Sequence, residues 1–94
     1  MQYKSNKTLQ LSKKYGELIN KLRTKSNIKL HKSRLQFCYE YELDPGNLSR
    51  IEHGLIDPKL SMLWRIAEAL EMPLSEIIKS LENELGDDFH ITEQ

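Results

Sequence analysis

Residues 44–54 read Asp44-Pro45-Gly46-Asn47-Leu48-Ser49-Arg50-Ile51-Glu52-His53-Gly54. Asp44 can accept from the unpaired amides of a first helical turn. Pro45 behind it suits the first helical position, where a missing N–H costs nothing. Gly54 is the natural left-handed stop, so a short helix is expected from Pro45 to His53. At about 100° per residue, Leu48 and Ile51 share one side, while Gly46, Ser49, Arg50 and His53 cluster opposite. The helix therefore buries two aliphatic side chains. Its outer ridge is small at the N-terminal end and cationic further along.

The flanking sequence supplies the partners of this helix. Only Glu42-Leu43-Asp44 separates it from an expected second helix over about 34–41, which turns Phe37, Cys38 and Tyr41 inward. Ser33-Arg34-Leu35-Gln36 has the capping-box form at the start of that element. A first helix is expected over about 13–26, capped by Ser12, with Tyr15, Leu18, Ile19 and Leu22 as one apolar stripe. After the loop that ends at Pro58, a fourth helix over about 61–71 carries Leu63, Ile66, Ala67 and Leu70. Pro73 opens a fifth, with Leu74, Ile77, Ile78, Leu81 and Leu85 at helical spacing and Gly86 as its end. The expected fold is all-α, five helices in a single domain, with residues 1–11 as an N-terminal arm, 12–80 as the domain, and 81–94 as the acidic end of the fifth helix and a tail.

Composition narrows the function classes. The chain has 94 residues, 38% of them hydrophobic, which is enough for one small core. No apolar run approaches the roughly 20 residues that span a bilayer, and the start MQYKSNKTLQ lacks the apolar core of a secretory signal. Cys38 is the one cysteine, so a cytoplasmic setting is expected. His31, His53 and His90 are too dispersed for a metal motif, and neither a glycine-rich phosphate loop nor a nucleophile elbow occurs. Hence no catalytic residue, metal, cofactor or small-molecule site is expected. The net charge of zero conceals polarity: residues 1–50 carry eleven Lys/Arg against four Asp/Glu, and residues 51–94 three against ten. Such halves can make a one-sided nucleic-acid surface, or simply two solvated faces of opposite sign.

A short helix with a small, hydrogen-bonding outer ridge suits the DNA major groove, which is about 12 Å wide and exposes base edges. The tight connection between second and third helices is that of a helix-turn-helix unit. Ser33-Arg34 places a cation and unpaired amides at a helix start, where phosphate is the natural ligand.

Further residues carry a family resemblance. Leu48-Ser49-Arg50-Ile51-Glu52-His53-Gly54, Pro58-Lys59-Leu60, Leu63-Trp64-Arg65-Ile66-Ala67-Glu68-Ala69-Leu70 and Leu74-Ser75-Glu76-Ile77-Ile78, taken in order, resemble the Cro/C1-type (XRE family) helix-turn-helix domain. The resemblance covers roughly residues 15–80. It implies a five-helix lambda-repressor-like fold, binding of double-stranded operator DNA, commonly as a homodimer, and transcriptional regulation, here as a small prokaryotic or phage-type repressor. Its base-reading positions fall on Pro45, Gly46, Ser49 and Arg50, of which Gly46, Ser49 and Arg50 face the groove. Its phosphate positions fall on Ser33, Arg34, Asn47, His53 and Lys59. It also implies a structural pair between Arg23 and Glu52. Cys38 stands at a small apolar position of the family, a core role.

The chain departs from the family pattern in places. Arg34 replaces a usual glutamine and Glu42 a usual turn glycine, so the turn is either of another type or the helix runs one residue further. Pro45 and Gly46 stand where longer polar side chains often read bases, which leaves direct readout to Arg50 and the remainder to DNA shape. The competing reading is a protein-interaction or antitoxin-like module on the same fold, with a protein partner. The apolar stripe of the fifth helix exceeds what a four-helix core absorbs, so Leu81, Leu85, Phe89 and Ile91 are candidates for a dimer seam, with Trp64 at a domain edge or dimer contact.

Overall fold

The computed structural model describes residues 6–25 and 38–92. Helix α1 spans Asn6–Lys25, α2 denotes the helical residues 38–40, α3 spans Pro45–Glu52, α4 Leu60–Ala69 and α5 Leu74–Leu85. Helix α1 packs against both α3 and α5, and α4 packs against α5. All described secondary structure is helical, and the all-α expectation holds. The capping residues expected at Ser33 and Gln36, together with Arg34 and Phe37, lie outside the described residues.

The expected apolar stripes meet in one core. Tyr15, Leu18, Ile19, Cys38, Leu43, Leu48, Ile51, Ile66, Ala67, Leu70, Ile77 and Leu81 are buried together. Leu11, Leu22, Leu63, Leu74 and Leu85 pack against them half-buried. The Tyr15 hydroxyl is buried with no hydrogen-bond partner among the described residues, and burial pushes its phenol well above the ordinary range.

Helix α1 corrects one expectation. It starts at Asn6, so residues 6–11, placed in the arm by the sequence, are helical, and Ser12 is buried inside the helix instead of capping it. The reason is tertiary. Leu11 reaches a groove formed with Ile78, Leu81 and Leu85 of α5, and the Lys7 ammonium stands 5.3 Å from the centre of the Phe89 ring. These contacts sustain turns that a local capping signal would end.

Three helix ends use one backbone device. After α3, the Gly54 amide donates to Ile51 O at 3.0 Å and the Leu55 amide to Arg50 O at 2.8 Å, the paired bonds of a Schellman turn, with Gly54 at φ 72°. After α4, Glu71 and Met72 make the equivalent bonds to Glu68 O and Ala67 O, with Glu71 at φ 58°. After α2, the Leu43 amide donates to Cys38 O at 2.9 Å and Glu42 stands at φ 57°. Glu42 therefore keeps a left-handed turn at the position where the family usually has glycine, and α2 does not run on. Buried Leu43 explains why: the turn delivers it into the core at once. A side chain in this region costs about 1–2 kcal/mol, so Glu42→Gly is expected to raise stability by about 1 kcal/mol in urea denaturation, net of the chain entropy that glycine adds.

Candidate nucleic-acid interface

The start of α3 is built as its sequence indicates. Asp44 is extended at φ −80° and its carboxylate accepts from the Asn47 amide at 2.8 Å, with Pro45 at the first helical position. Leu48 and Ile51 are each 1% exposed. On the other side Pro45, Gly46, Arg50 and His53 are exposed, with Asn47 and Ser49 half-buried. The three base-facing candidates, Gly46, Ser49 and Arg50, thus share one solvent-facing ridge.

Local bonds order this ridge. The Arg50 guanidinium donates through Nη2 to Asn47 Oδ1. The His53 ring bonds through Nδ1 to the Ser49 carbonyl at 2.7 Å. A carbonyl only accepts, so Nδ1 carries the proton and Nε2 is left as the second ring atom. A phosphate contact from Nε2 then requires the doubly protonated ring. Lys59 is exposed at the N-cap of α4, where it makes no side-chain cap bond. Asn47, Lys59 and Ser61 line one groove together with Asp57, so the structure brings two of the phosphate candidates to one place. Ser33 and Arg34 lie outside the described residues.

Behind the ridge, Arg23 and Glu52 form a bidentate pair. Arg23 Nε donates to Glu52 Oε2 at 2.7 Å and Nη2 to Oε1 at 3.1 Å, with both residues 7% exposed. The pair ties the C-terminal end of α1 to the last residue of α3. Asn20 also donates to Glu52 Oε1 at 3.1 Å, a contact that residue spacing on α1 could have suggested, since Asn20 and Arg23 stand three apart on one face. Arg65 Nη1 donates to Glu42 O at 3.2 Å and so fastens α4 to the turn before α3; no local pattern announces it.

Two glycines set the distance between α1 and α3. A Cβ on Gly16 would lie 2.1 Å from Ile51 O and 2.8 Å from Glu52 O. A Cβ on Gly54 would lie 2.7 Å from Lys13 Cα. The helices touch backbone to backbone, and of the two glycines only Gly54 carries a local sequence signal, as a helix stop.

The dimer candidates divide. Leu81 is 7% exposed and belongs to the chain's own core, and Leu85 packs against that core. Helix α5 runs unbroken through residue 80 to Leu85, with Gly86 after it, as its apolar spacing predicts. Phe89 is half-buried and Ile91 exposed. The large exposed apolar side chains include Leu60 (69%) and Trp64 (59%) on α4. Glu84 on α5 meets Lys21 of α1 at 3.4 Å, and Glu82, Asp87 and Asp88 are exposed at the same end. Among the described residues no three His, Cys, Asp or Glu side chains gather as a metal site would require, and no helix is long and apolar enough to cross a membrane.

A capped short helix with a polar outer ridge, set after a tight left-handed turn and pinned from behind, defines a helix-turn-helix domain. A helix-turn-helix family profile matches residues 19–77, well over half of the chain. The chain belongs to the Cro/C1-type helix-turn-helix (XRE) family and is a DNA-binding helix-turn-helix regulator that acts on double-stranded DNA. No curated protein and no solved structure matches it.

Proposed function

We propose that this chain is a sequence-specific repressor that occupies operator DNA in the cytoplasm of a prokaryotic cell, with α3 in the major groove. The observation that carries this reading is the exposed ridge of Gly46, Ser49 and Arg50 opposite the buried Leu48 and Ile51. Arg50 supplies a donor fork that fits guanine O6 and N7. Ser49 serves a base edge, and Gly46 lets the backbone approach closely. Lys59 and His53 take the flanking phosphates, and Ser33 and Arg34 are proposed for the same role from their sequence positions. The exposed carboxylates at the far end of α5 repel phosphate and orient that end away from the duplex.

Selection of bound sequences from random duplex DNA, followed by salt titration, tests the reading. Arg50→Ala is expected to relax preference at one base position by about 1–3 kcal/mol. Lys59→Ala is expected to weaken all sequences alike and to reduce the salt slope by about one. A steep salt slope with no enriched motif would leave only nonspecific binding and defeat the proposal.

A homodimer belongs to this reading, because two protomers would read half-sites about one helical turn apart. With Leu81 and Leu85 absorbed by the core, the exposed Leu60 and Trp64 on α4 favour that helix as the seam. The same patch includes Arg65 and Glu68, opposite charges three residues apart, which a second copy related by a two-fold axis can pair reciprocally. Trp64→Glu is expected to leave a monomer in sedimentation at concentrations where the parent chain is dimeric. Dissociation by Ile91→Ser instead would assign the seam to the tail, and loss of neither dimer would point to another surface. A patch that binds a different protein is the antitoxin-like alternative, and a parent chain monomeric at every concentration would favour it.

A further inference from the structure

The ridge of α3 contains a contact that bears on how specificity is set. Arg50 is exposed, and its guanidinium is held by a neighbour on its own helix. It turns back toward the N-terminal end of the helix, where Nη2 donates to Asn47 Oδ1. A Cβ on Gly46 would stand 3.6 Å from Arg50 Nη1 and 3.7 Å from Nη2, so the guanidinium lies over the space that the missing side chain leaves. Asn47 is itself held: its amide is the one that Asp44 caps, at 2.8 Å. The family resemblance puts Asn47 at a phosphate position, and its carboxamide can serve either a base edge or a backbone oxygen.

We propose that Asn47 is a positioning residue for base readout, its carboxamide oxygen holding the Arg50 fork over Gly46 at the end of α3 that enters the groove. The inference rests on the assignment of α3 as the reading helix and adds the device that orients its arginine. One of the five guanidinium N–H donors is spent on Asn47, and four remain for a base edge. An unsupported arginine would lose its rotamer freedom only on binding, and would do so with equal ease toward several acceptors. The Asn47 contact orders the head beforehand, so a duplex presenting guanine where the fork already lies is favoured over one that does not. Gly46 leaves that space open: a Cβ there would meet Asp44 Oδ2 at 3.1 Å and the guanidinium only at ordinary contact distance.

The experiment uses the full chain and a set of duplexes that vary the base position at which Arg50→Ala relaxes preference. Affinity ratios and salt slopes are compared for the parent, Asn47→Ala, Asn47→Asp, Arg50→Ala and the Asn47→Ala/Arg50→Ala double variant. Asn47→Ala keeps the backbone amide that Asp44 caps, and thermal melts confirm its folding. Preference at that one position is expected to fall about threefold to tenfold in Asn47→Ala, the range for immobilising one long side chain. The salt slope should stay unchanged, and the substitution should have no further effect once Arg50 is alanine. Asn47→Asp keeps an acceptor oxygen and is expected to retain the preference while binding all duplexes more weakly. Uniform weakening by Asn47→Ala with a shallower salt slope would make Asn47 a phosphate ligand, and altered preference at a different base position would make it a reader in its own right. Either result overturns the proposal while leaving the reading-helix assignment intact. An Arg50→Ala variant that relaxes no position removes that assignment, and this inference with it.

Discussion

Gly16→Ala is expected to destabilise the domain by about 3 kcal/mol, the upper part of the range for overpacking a close contact. For a domain of this size the melting temperature should then fall by about 12–24 °C. In an isolated helix the same change would have the opposite sign, since alanine is favoured over mid-helix glycine by roughly 0.5–1 kcal/mol. Packing decides the sign here. The added methyl would stand 2.1 Å from Ile51 O and 2.8 Å from Glu52 O, both backbone atoms of α3. No rotamer change relieves such a clash, so α1 and α3 must separate. That separation carries a cost beyond stability, because it moves the helix whose outer ridge faces DNA. Thermal and urea denaturation check the first effect, and duplex affinity at a temperature where the variant is folded checks the second. A variant within about 1 kcal/mol of the parent would show that the two helices do not rest on Gly16.

Glu52→Ala is the second large effect. It removes the acceptor of Arg23 Nε, Arg23 Nη2 and Asn20 Nδ2 together. Arg23, only 7% exposed, then loses the carboxylate that pairs with it. Breaking a buried pair from one side costs about 3–5 kcal/mol, which is a large part of the 5–15 kcal/mol that holds a typical domain together. The double change Arg23→Met/Glu52→Leu should recover most of the loss, because it removes the buried charges along with their attraction. Recovery of stability without recovery of DNA affinity would separate the two roles of the pair, cohesion of the core and orientation of α3. A Glu52→Ala chain as stable as the parent would mean that water reaches Arg23 in solution.

These two residues show different degrees of legibility. Arg23 and Glu52 are visible as a pair only through the family pattern, since 29 positions separate them and no spacing rule links them. The structure adds Asn20 as the third donor. Gly16 left no signal, because a glycine within an amphipathic run reads as a mild weakness until the facing backbone is known. Helix ends were legible where a side chain makes the cap. Asp44-Pro45 starts α3 and Gly54 stops it, as their chemistry requires. They are not legible where packing overrides local chemistry. Ser12 has the composition of a cap but is buried in mid-helix, because Leu11 and Lys7 find partners on α5 and in the residues after it. Glu42 was ambiguous between two turns, and the burial of Leu43 resolves it in favour of the left-handed one.

Local pattern alone determined the all-α class, the order of the helices, the caps of α3 and the side of α3 that faces solvent. Each of these follows from residues within a turn or two of one another, where period and capping chemistry act directly. Only the tertiary structure decided how far α1 extends, how closely it approaches α3, which part of the α5 stripe is consumed by the core, and how Arg50 lies against Asn47 and Gly46. Those features depend on what stands opposite a residue in space. A one-dimensional pattern records which side chains need burial, but not how much partner surface the rest of the chain supplies.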